Sequence, residues 1–211
     1  MLANLYLHWF DKLFHGRDGP YRWADARLVR YADDFVILAG YVGDRVRRFV
    51  EQALQGRLGL TVNADKTRTV KLRAPGASLD FLGYTFRYDR DRLGRPGRTY
   101  LNLCPSDKAV RREREVLRRL IGPGQCFIPV PELIAQVNQQ MRGWGNYFRI
   151  GYPSRAYRKI NRFVQERLEF HLKRRSQRPF RCSGMSWYAL LMRLGLRPLS
   201  PSAVRPVHAT G

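Results

Sequence analysis

The sequence predicts an α+β protein in which a partial antiparallel sheet with packed helices precedes an all-helical bundle. Short apolar runs separated by turn residues fill the first half of the chain, as expected for strands and hairpins. Longer segments with helical periodicity fill the second half. The pattern changes near residue 105, and the hydrophobic fraction of 44% is ordinary for a chain that buries a core.

The first half is predicted to begin with an amphipathic helix and to continue with a hairpin. The helix covers residues 2–14, with Trp9 among the apolar residues on its buried side. Residues 27–39 are predicted to form two strands that join at Asp33 and Asp34. The second strand is apolar at every position, so we expect it to be buried on both faces. The other predicted elements are a helix over 44–58 and strands over 68–73, 79–88 and 98–103, which make a sheet of about five strands.

The second half is predicted to be a bundle of helices. They cover residues 107–121, 130–149, 154–175 and about 184–194, with Gly and Pro between them. Ser106 and Ser154 are suitable N-caps for the first and third of these helices. The tail from Pro198 has no apolar period, and we expect it to be disordered.

The charge of the chain predicts a polyanionic partner. There are 39 basic and 17 acidic residues, a net charge of +22. A compact protein with this much like charge repels itself unless a polyanion neutralises it, and nucleic acid does so with release of counterions. Residues 106–178 carry 17 basic and 6 acidic side chains, so we expect the helical half to provide most of the nucleic-acid surface.

The segment Tyr31-Ala32-Asp33-Asp34 places two carboxylates at the tip of the predicted hairpin. Mg²⁺ prefers hard carboxylate oxygens and often shares its coordination shell with substrate phosphates. We therefore predict that Asp33 is a direct metal ligand and that Asp34 supports it. A plain surface turn is the alternative, since Asp is common in turns.

Five segments in this order resemble group II intron reverse transcriptases. They are residues 2–8, 30–38 with the Tyr-Ala-Asp-Asp motif, 60–67, 81–84 and 141–148. The resemblance implies a partial reverse transcriptase palm over residues 1–105 and a maturase-specific thumb domain over 106–178. A C-terminal helix and tail would follow over residues 179–211.

The resemblance also assigns roles to individual residues. Asp33 and Asp34 would hold catalytic Mg²⁺, and Lys66 would lie near the phosphates of the incoming nucleotide; a solvated lysine is the alternative. The primer grip, or alternatively an ordinary core strand with a bulge, would consist of Phe81, Leu82, Gly83 and Tyr84. The predicted RNA contacts are Arg142, Arg149, Arg155, Arg158, Lys159, Arg162, Lys173, Arg174 and Arg175. The aromatic residues Trp144, Tyr147 and Phe148 are predicted to be mainly structural, because their spacing suits helix packing.

The resemblance has consequences for activity. The family's fingers and upstream palm, with a third metal-binding aspartate, have no counterpart in this sequence. We therefore expect a truncated protein that polymerises DNA on RNA only if an N-terminal reverse transcriptase fragment complements it. The expected partners are group II intron RNA or other structured RNA and an RNA/DNA duplex.

Two other functions remain open. The chain could be a non-catalytic fragment that binds RNA and assists splicing, or an unrelated basic RNA-binding protein with a chance motif.

The three scattered cysteines form no zinc or disulfide pattern, so a reducing, cytoplasmic location is expected. No segment of the sequence predicts a membrane anchor.

Overall fold

The computed structural model describes residues 2–60, 67–91, 98–175 and 184–201, which form two compact units that divide between Lys71 and Leu72. The first unit contains α1 (Leu2–His15), α2 (Pro20–Trp23), β1 (Arg27–Tyr31), β2 (Asp34–Leu38), α3 (Asp44–Glu51) and a π-helical segment over Gln52–Arg57. The second contains β3 (Ser78–Phe81), β4 (Tyr84–Arg90), β5 (Thr99–Pro105), α4 (Asp107–Leu120), a 3₁₀ turn over Pro123–Gln125, α5 (Val130–Tyr147), α6 (Ser154–Arg174) and α7 (Trp187–Arg193). The predicted α+β fold class is confirmed at this level.

The core of the first unit lies between α1 and the β1–β2 hairpin. Phe10 and Phe14, one helical turn apart, are fully buried and pack with Phe35 of β2. Trp9 was predicted on this side of α1, but its side chain is 61% exposed. The prediction for Trp9 is wrong because the face that contains Phe10 and Phe14 is the one that covers the hairpin.

The hairpin has one covered face and one open face. Leu28 and Ile37 pack into the core of the first unit, whereas Val29, Tyr31 and Leu38 are exposed. The prediction that the second strand is buried on both faces is therefore wrong. Among the described residues this sheet has two strands, and side chains that alternate along them leave half of each strand facing outward.

The second unit contains a separate antiparallel sheet in the order β3-β4-β5. The five predicted strands thus do not form one sheet. The strand predicted over 79–88 is a hairpin, because Leu82 and Gly83 have φ angles of 51° and 78° and turn the chain. No strand is present over 68–73, since residues 67–71 pair with no strand and a turn at Pro75 and Gly76 follows.

The helices of the second unit share one hydrophobic core. Leu117 of α4, Leu133 of α5 and Ile160 of α6 are fully buried in it, and Leu191 of α7 joins them. Ser106 caps α4 as predicted, because its Oγ accepts a hydrogen bond of 3.1 Å from the backbone N–H of Ala109. The prediction that Ser154 caps α6 is wrong, because Ser154 is the first residue of that helix and its side chain makes no capping bond. The helical bundle predicted from periodicity is therefore confirmed.

The segment after α7 is bound to the bundle by two asparagines. Asn138 of α5 donates to the carbonyl of Gly195 and accepts from the N–H of Arg197, both at 2.8 Å. Asn161 of α6 makes the same pair of 2.8 Å bonds with the backbone of Leu199. We call residues 195–199 the C-terminal strap. The prediction of disorder from Pro198 is wrong for residues 198–201, and residues 202–211 lie outside the described part.

The predicted domain boundaries near residues 105 and 178 are those of the family's palm and thumb domains. The division into compact units does not test them, so they stay predictions. Within the described ranges, no helix combines the length and the apolar character needed to cross a bilayer.

Candidate catalytic hairpin and nucleic-acid interface

The two candidate metal ligands lie at the tip of the β1–β2 hairpin, as predicted. Ala32 and Asp33 form the turn, with a φ of 53° at Ala32, and Asp34 begins β2 opposite Tyr31. Asp33 and Asp34 are both exposed, and neither carboxylate forms an ion pair or hydrogen bond with another described residue. Both carboxylates are therefore available to a ligand from solvent.

Arg30 braces this turn from the covered face of the hairpin. Its guanidinium group donates a 2.9 Å hydrogen bond to the carbonyl of Ala32 and one of 2.7 Å to Asp11 of α1. A third bond, of 3.1 Å, reaches Asn4. The hydrogen bond to Asp11 is the main cause that raises the pKa of Arg30. The tip of the hairpin is thus fixed to α1.

Sequence reasoning missed this role of Arg30. A signal was present, because a strand with alternating faces places Arg30 beside Leu28 on the covered side. A charged residue on that side needs a partner. The partner, Asp11, lies 19 residues earlier, so the local pattern did not identify it.

The donor chemistry at the hairpin tip suits a divalent cation. Asp33 and Asp34 provide the hard oxygens that Mg²⁺ prefers. Across the ranges described above, no group of three or more His, Cys, Asp or Glu side chains is arranged to hold a metal ion. Lys66, the third predicted catalytic residue, lies outside the described residues.

The candidate primer-grip segment is a tight turn in the second unit. Phe81 ends β3, Leu82 and Gly83 form the turn, and Tyr84 begins β4. The backbone N–H of Ser106 donates a 2.8 Å hydrogen bond to the carbonyl of Gly83. A two-residue hairpin turn, and not a bulge, therefore accounts for the glycine at this position.

The end of α5 holds this turn through two tyrosines. Tyr84 donates a 2.6 Å hydrogen bond from its hydroxyl to the carbonyl of Tyr147, and Tyr147 donates one of 2.9 Å to the carbonyl of Leu82. A side chain at Gly83 would come within 3.1 Å of the Phe148 ring. Burial is the main cause that raises the pKa of Tyr84. The segments around residues 81–84 and 141–148, which the sequence treats as separate motifs, thus form one structure.

The aromatic cluster of α5 has the structural character that its spacing predicts. Trp144 and Phe148 are in contact, with ring centroids 4.7 Å apart, and the Tyr157 hydroxyl donates a 2.6 Å hydrogen bond to the carbonyl of Gly145. Tyr147 is the exception, because the residue is 55% exposed while its hydroxyl is bound to the turn.

The predicted RNA-binding residues lie mostly on the surface of α5 and α6. Arg175 is half-buried. The exposed ones are Arg142, Arg149, Arg155, Arg158, Lys159, Arg162, Lys173 and Arg174. Three of them form ion pairs, Lys159 with Asp107 at 3.3 Å, Arg162 with Glu166 at 2.8 Å, and Lys173 with Glu169 at 2.7 Å. Exposed pairs of this kind are weak and can exchange for a phosphate.

A second set of cations lies on α4, and sequence reasoning did not assign it a role. It consists of Lys108, Arg111, Arg112, Arg114, Arg118 and Arg119. The helix itself was predicted, so a count of its basic residues could have found this set. Glu113, an acidic residue among them, is buried and accepts two hydrogen bonds from Gln140. Its carboxylate therefore adds little negative charge to the exposed surface of α4.

These observations define a class of protein, an α+β protein whose helical unit presents a strongly cationic surface suited to nucleic acid. Residues 110–187 match the family model for the "Group II intron, maturase-specific domain". The chain therefore carries the maturase-specific domain of group II intron proteins, and the resemblance to the C-terminal part of these maturases is confirmed. This domain indicates a maturase function in group II intron splicing and implies binding to the intron RNA. A search of curated proteins found no match to the chain.

Proposed function

We propose that this protein binds folded group II intron RNA through the cationic surface of α4, α5 and α6 and stabilises the structure in which the intron splices. The observation that carries this proposal is the location of the cations. Nearly all of these basic side chains lie within the residues that match the maturase-specific domain. Structured RNA is recognised largely through its backbone and shape, and such a surface suits that mode of contact.

We further propose that the β1–β2 hairpin is the catalytic hairpin of a reverse transcriptase palm. Asp33 would bind Mg²⁺ directly, Asp34 would support it, and Lys66 would contact the nucleotide phosphates. When bound, the metal would stabilise the attacking and leaving oxygens in nucleotidyl transfer. Arg30 holds the turn that carries both carboxylates, and the turn at Leu82 and Gly83 would position the primer strand.

Polymerase activity would require the fingers and the upstream palm, whether these come from a further part of the polypeptide or from a second chain. Primer extension on poly(rA)/oligo(dT) with Mg²⁺ tests this directly. We expect no product from the 211-residue chain alone, and product when an N-terminal reverse transcriptase fragment is added. The Asp33→Asn variant should abolish that product. Incorporation that survives this substitution would refute the assignment of Asp33.

The alternative to a polymerase is a non-catalytic maturase that assists splicing without polymerisation, and the cationic helices favour it. Its test is the self-splicing of a group II intron RNA at low Mg²⁺, with and without the protein. We expect faster splicing with the unaltered chain and with Asp33→Asn alike, because the helical surface is intact in both. An unchanged splicing rate at saturating protein would contradict a maturase role.

A further inference from the structure

A furrow between α4 and α6 concentrates cations above an aromatic floor. Its walls carry four cations and two carboxylates, with Asp107, Arg111 and Arg114 on α4 and Lys159, Arg162 and Glu166 on α6. Phe163 forms the floor, and its side chain is only 7% exposed. The furrow lies within the second unit, and all its lining residues except Asp107 lie within the matched residues 110–187.

The two walls differ in how their charge is compensated. On α6, Lys159 and Arg162 pair with Asp107 and Glu166. On α4, positions 111, 114 and 118 share one face of the helix, and none of these three arginines forms an ion pair with a described residue. Arg118 lies one turn beyond the residues that line the furrow. With it, α4 presents three arginines that have no ion pair with a described residue, in a row about 10 Å long from the rise of 1.5 Å per residue.

Phe163 orients two of these arginines. The guanidinium carbon of Arg114 lies 4.6 Å from the centre of the Phe163 ring, and that of Arg118 lies 5.8 Å from it. A guanidinium group that contacts an aromatic face is held in place, and its planar N–H fork remains free for a bidentate bond to phosphate. Less side-chain entropy is then lost when the phosphate binds.

The furrow favours contact with the sugar-phosphate backbone and not with bases. Bases bind proteins by stacking on open aromatic faces. Phe163 offers no such face, because it is buried and two arginines lie over it. Guanidinium forks match phosphate geometry, and folded RNA brings its phosphates close together.

We propose that the α4–α6 furrow is a clamp for the phosphate backbone of folded RNA, in which Arg111, Arg114 and Arg118 bind phosphates and Phe163 positions Arg114 and Arg118. The proposal rests on the proposed binding of intron RNA and names the part of the surface that carries most of it. It also predicts that α4, and not only α6, determines affinity.

The test is filter binding of the full chain to a group II intron RNA over a series of salt concentrations. The furrow variant carries Arg111→Gln, Arg114→Gln and Arg118→Gln. The matched control carries Arg90→Gln, Arg193→Gln and Arg197→Gln. These remove the same charge from exposed residues of the second unit that lie outside α4, α5 and α6 and form no ion pair with a described residue.

The furrow variant should lower the slope of log K against log salt by about 2 and weaken binding roughly tenfold or more, since each phosphate contact contributes about 0.7–0.9 to the slope. The control should lower the slope by less than about 1. Equal losses of affinity and of salt slope in the two variants would overturn the proposal for the furrow, but not the proposed binding of intron RNA. No binding by the unaltered chain, or binding that is independent of salt, would overturn both proposals.

Phe163 needs a test that separates positioning from folding. Phe163→Tyr keeps an aromatic face and should bind as tightly as the unaltered chain, whereas Phe163→Leu keeps an apolar side chain and should bind more weakly. Circular dichroism and thermal unfolding identify a variant that does not fold. If a Phe163 variant does not fold, the test of the furrow is the comparison of the arginine variants with their control. Equal affinities for folded Leu and Tyr variants would refute the positioning role of Phe163.

Discussion

Glycine-to-alanine substitution should have opposite effects at two positions eight residues apart, Gly143 and Gly151. Gly151 lies in the loop between α5 and α6 with a φ of 81°, and a Cβ there would lie 2.2 Å from the backbone carbonyl oxygen of Leu103 on β5. The next residue, Tyr152, donates its N–H to that same oxygen at 2.7 Å. Gly143 lies inside α5, and a Cβ there meets nothing within 4 Å.

The expected magnitudes follow from these geometries. The left-handed backbone costs an alanine about 1–2 kcal/mol. The clash at Gly151 is with backbone and must displace the loop, which weakens a hydrogen bond worth about 1 kcal/mol. We therefore expect Gly151→Ala to lower the free energy of unfolding by about 3 kcal/mol. Gly143→Ala should raise it by about 0.5–1 kcal/mol, because alanine favours an exposed helix interior.

Urea denaturation followed by circular dichroism measures both changes, provided that the slope with denaturant is the same for each variant. The difference between the two variants should be about 4 kcal/mol, the sum of the two expected effects. A loss below about 1 kcal/mol for Gly151→Ala would refute the reasoning, since the loop would then not lie against β5 as described.

Three further predictions concern the same unit. Tyr147→Phe removes the hydrogen bond to the carbonyl of Leu82 and should lower the free energy of unfolding by about 1 kcal/mol; no change in denaturation would mean that the hydroxyl does not hold the turn. Burial raises the pKa of Glu113 above its ordinary 4.5, so the folded state retains this proton longer than the unfolded state and stability should fall as the pH rises above 4.5. Glu113→Gln should weaken that pH dependence in thermal unfolding, and an unaltered profile would contradict it. Asn161→Ala should lower the free energy of unfolding by about 1–3 kcal/mol, and by more than Asn138→Ala, because the hydrogen bonds of Asn161 to the C-terminal strap are partly buried. Equal losses of stability for the two variants would contradict this.

Elements whose cause is local could be predicted from the sequence. The long helices follow from apolar periodicity, and the start of α4 follows from the capping oxygen of Ser106. The hairpin tip at Asp33 was predicted because turn residues separate two apolar runs. The turn at Leu82 and Gly83 was missed, since a leucine with positive φ is rare and the flanking residues Phe81 and Tyr84 read as one continuous strand.

Features whose cause is tertiary could not be predicted in this way. The C-terminal strap depends on Asn138 and Asn161, which are ordinary polar residues in their helices until the backbone of residues 195–199 meets them. The brace of the hairpin tip depends on Arg30 and Asp11, which the fold brings together from separate elements. No window of local sequence contains both partners of any of these contacts.

The same distinction explains why the sequence directed attention to the cations of α6 and not to those of α4. The sequence shows which residues are charged, but it does not show which of them form ion pairs in the folded protein. The positive charge available to a phosphate of the RNA is the charge that these ion pairs leave. Lys159 and Arg162 are exposed, yet each has a carboxylate within 3.3 Å. Arg114 has an aromatic ring beneath it and no carboxylate partner among the described residues, so it has no ion pair to give up when RNA binds. Within the furrow, Arg111 and Arg114 of α4 should therefore contribute more to affinity than the ion-paired Lys159 and Arg162 of α6.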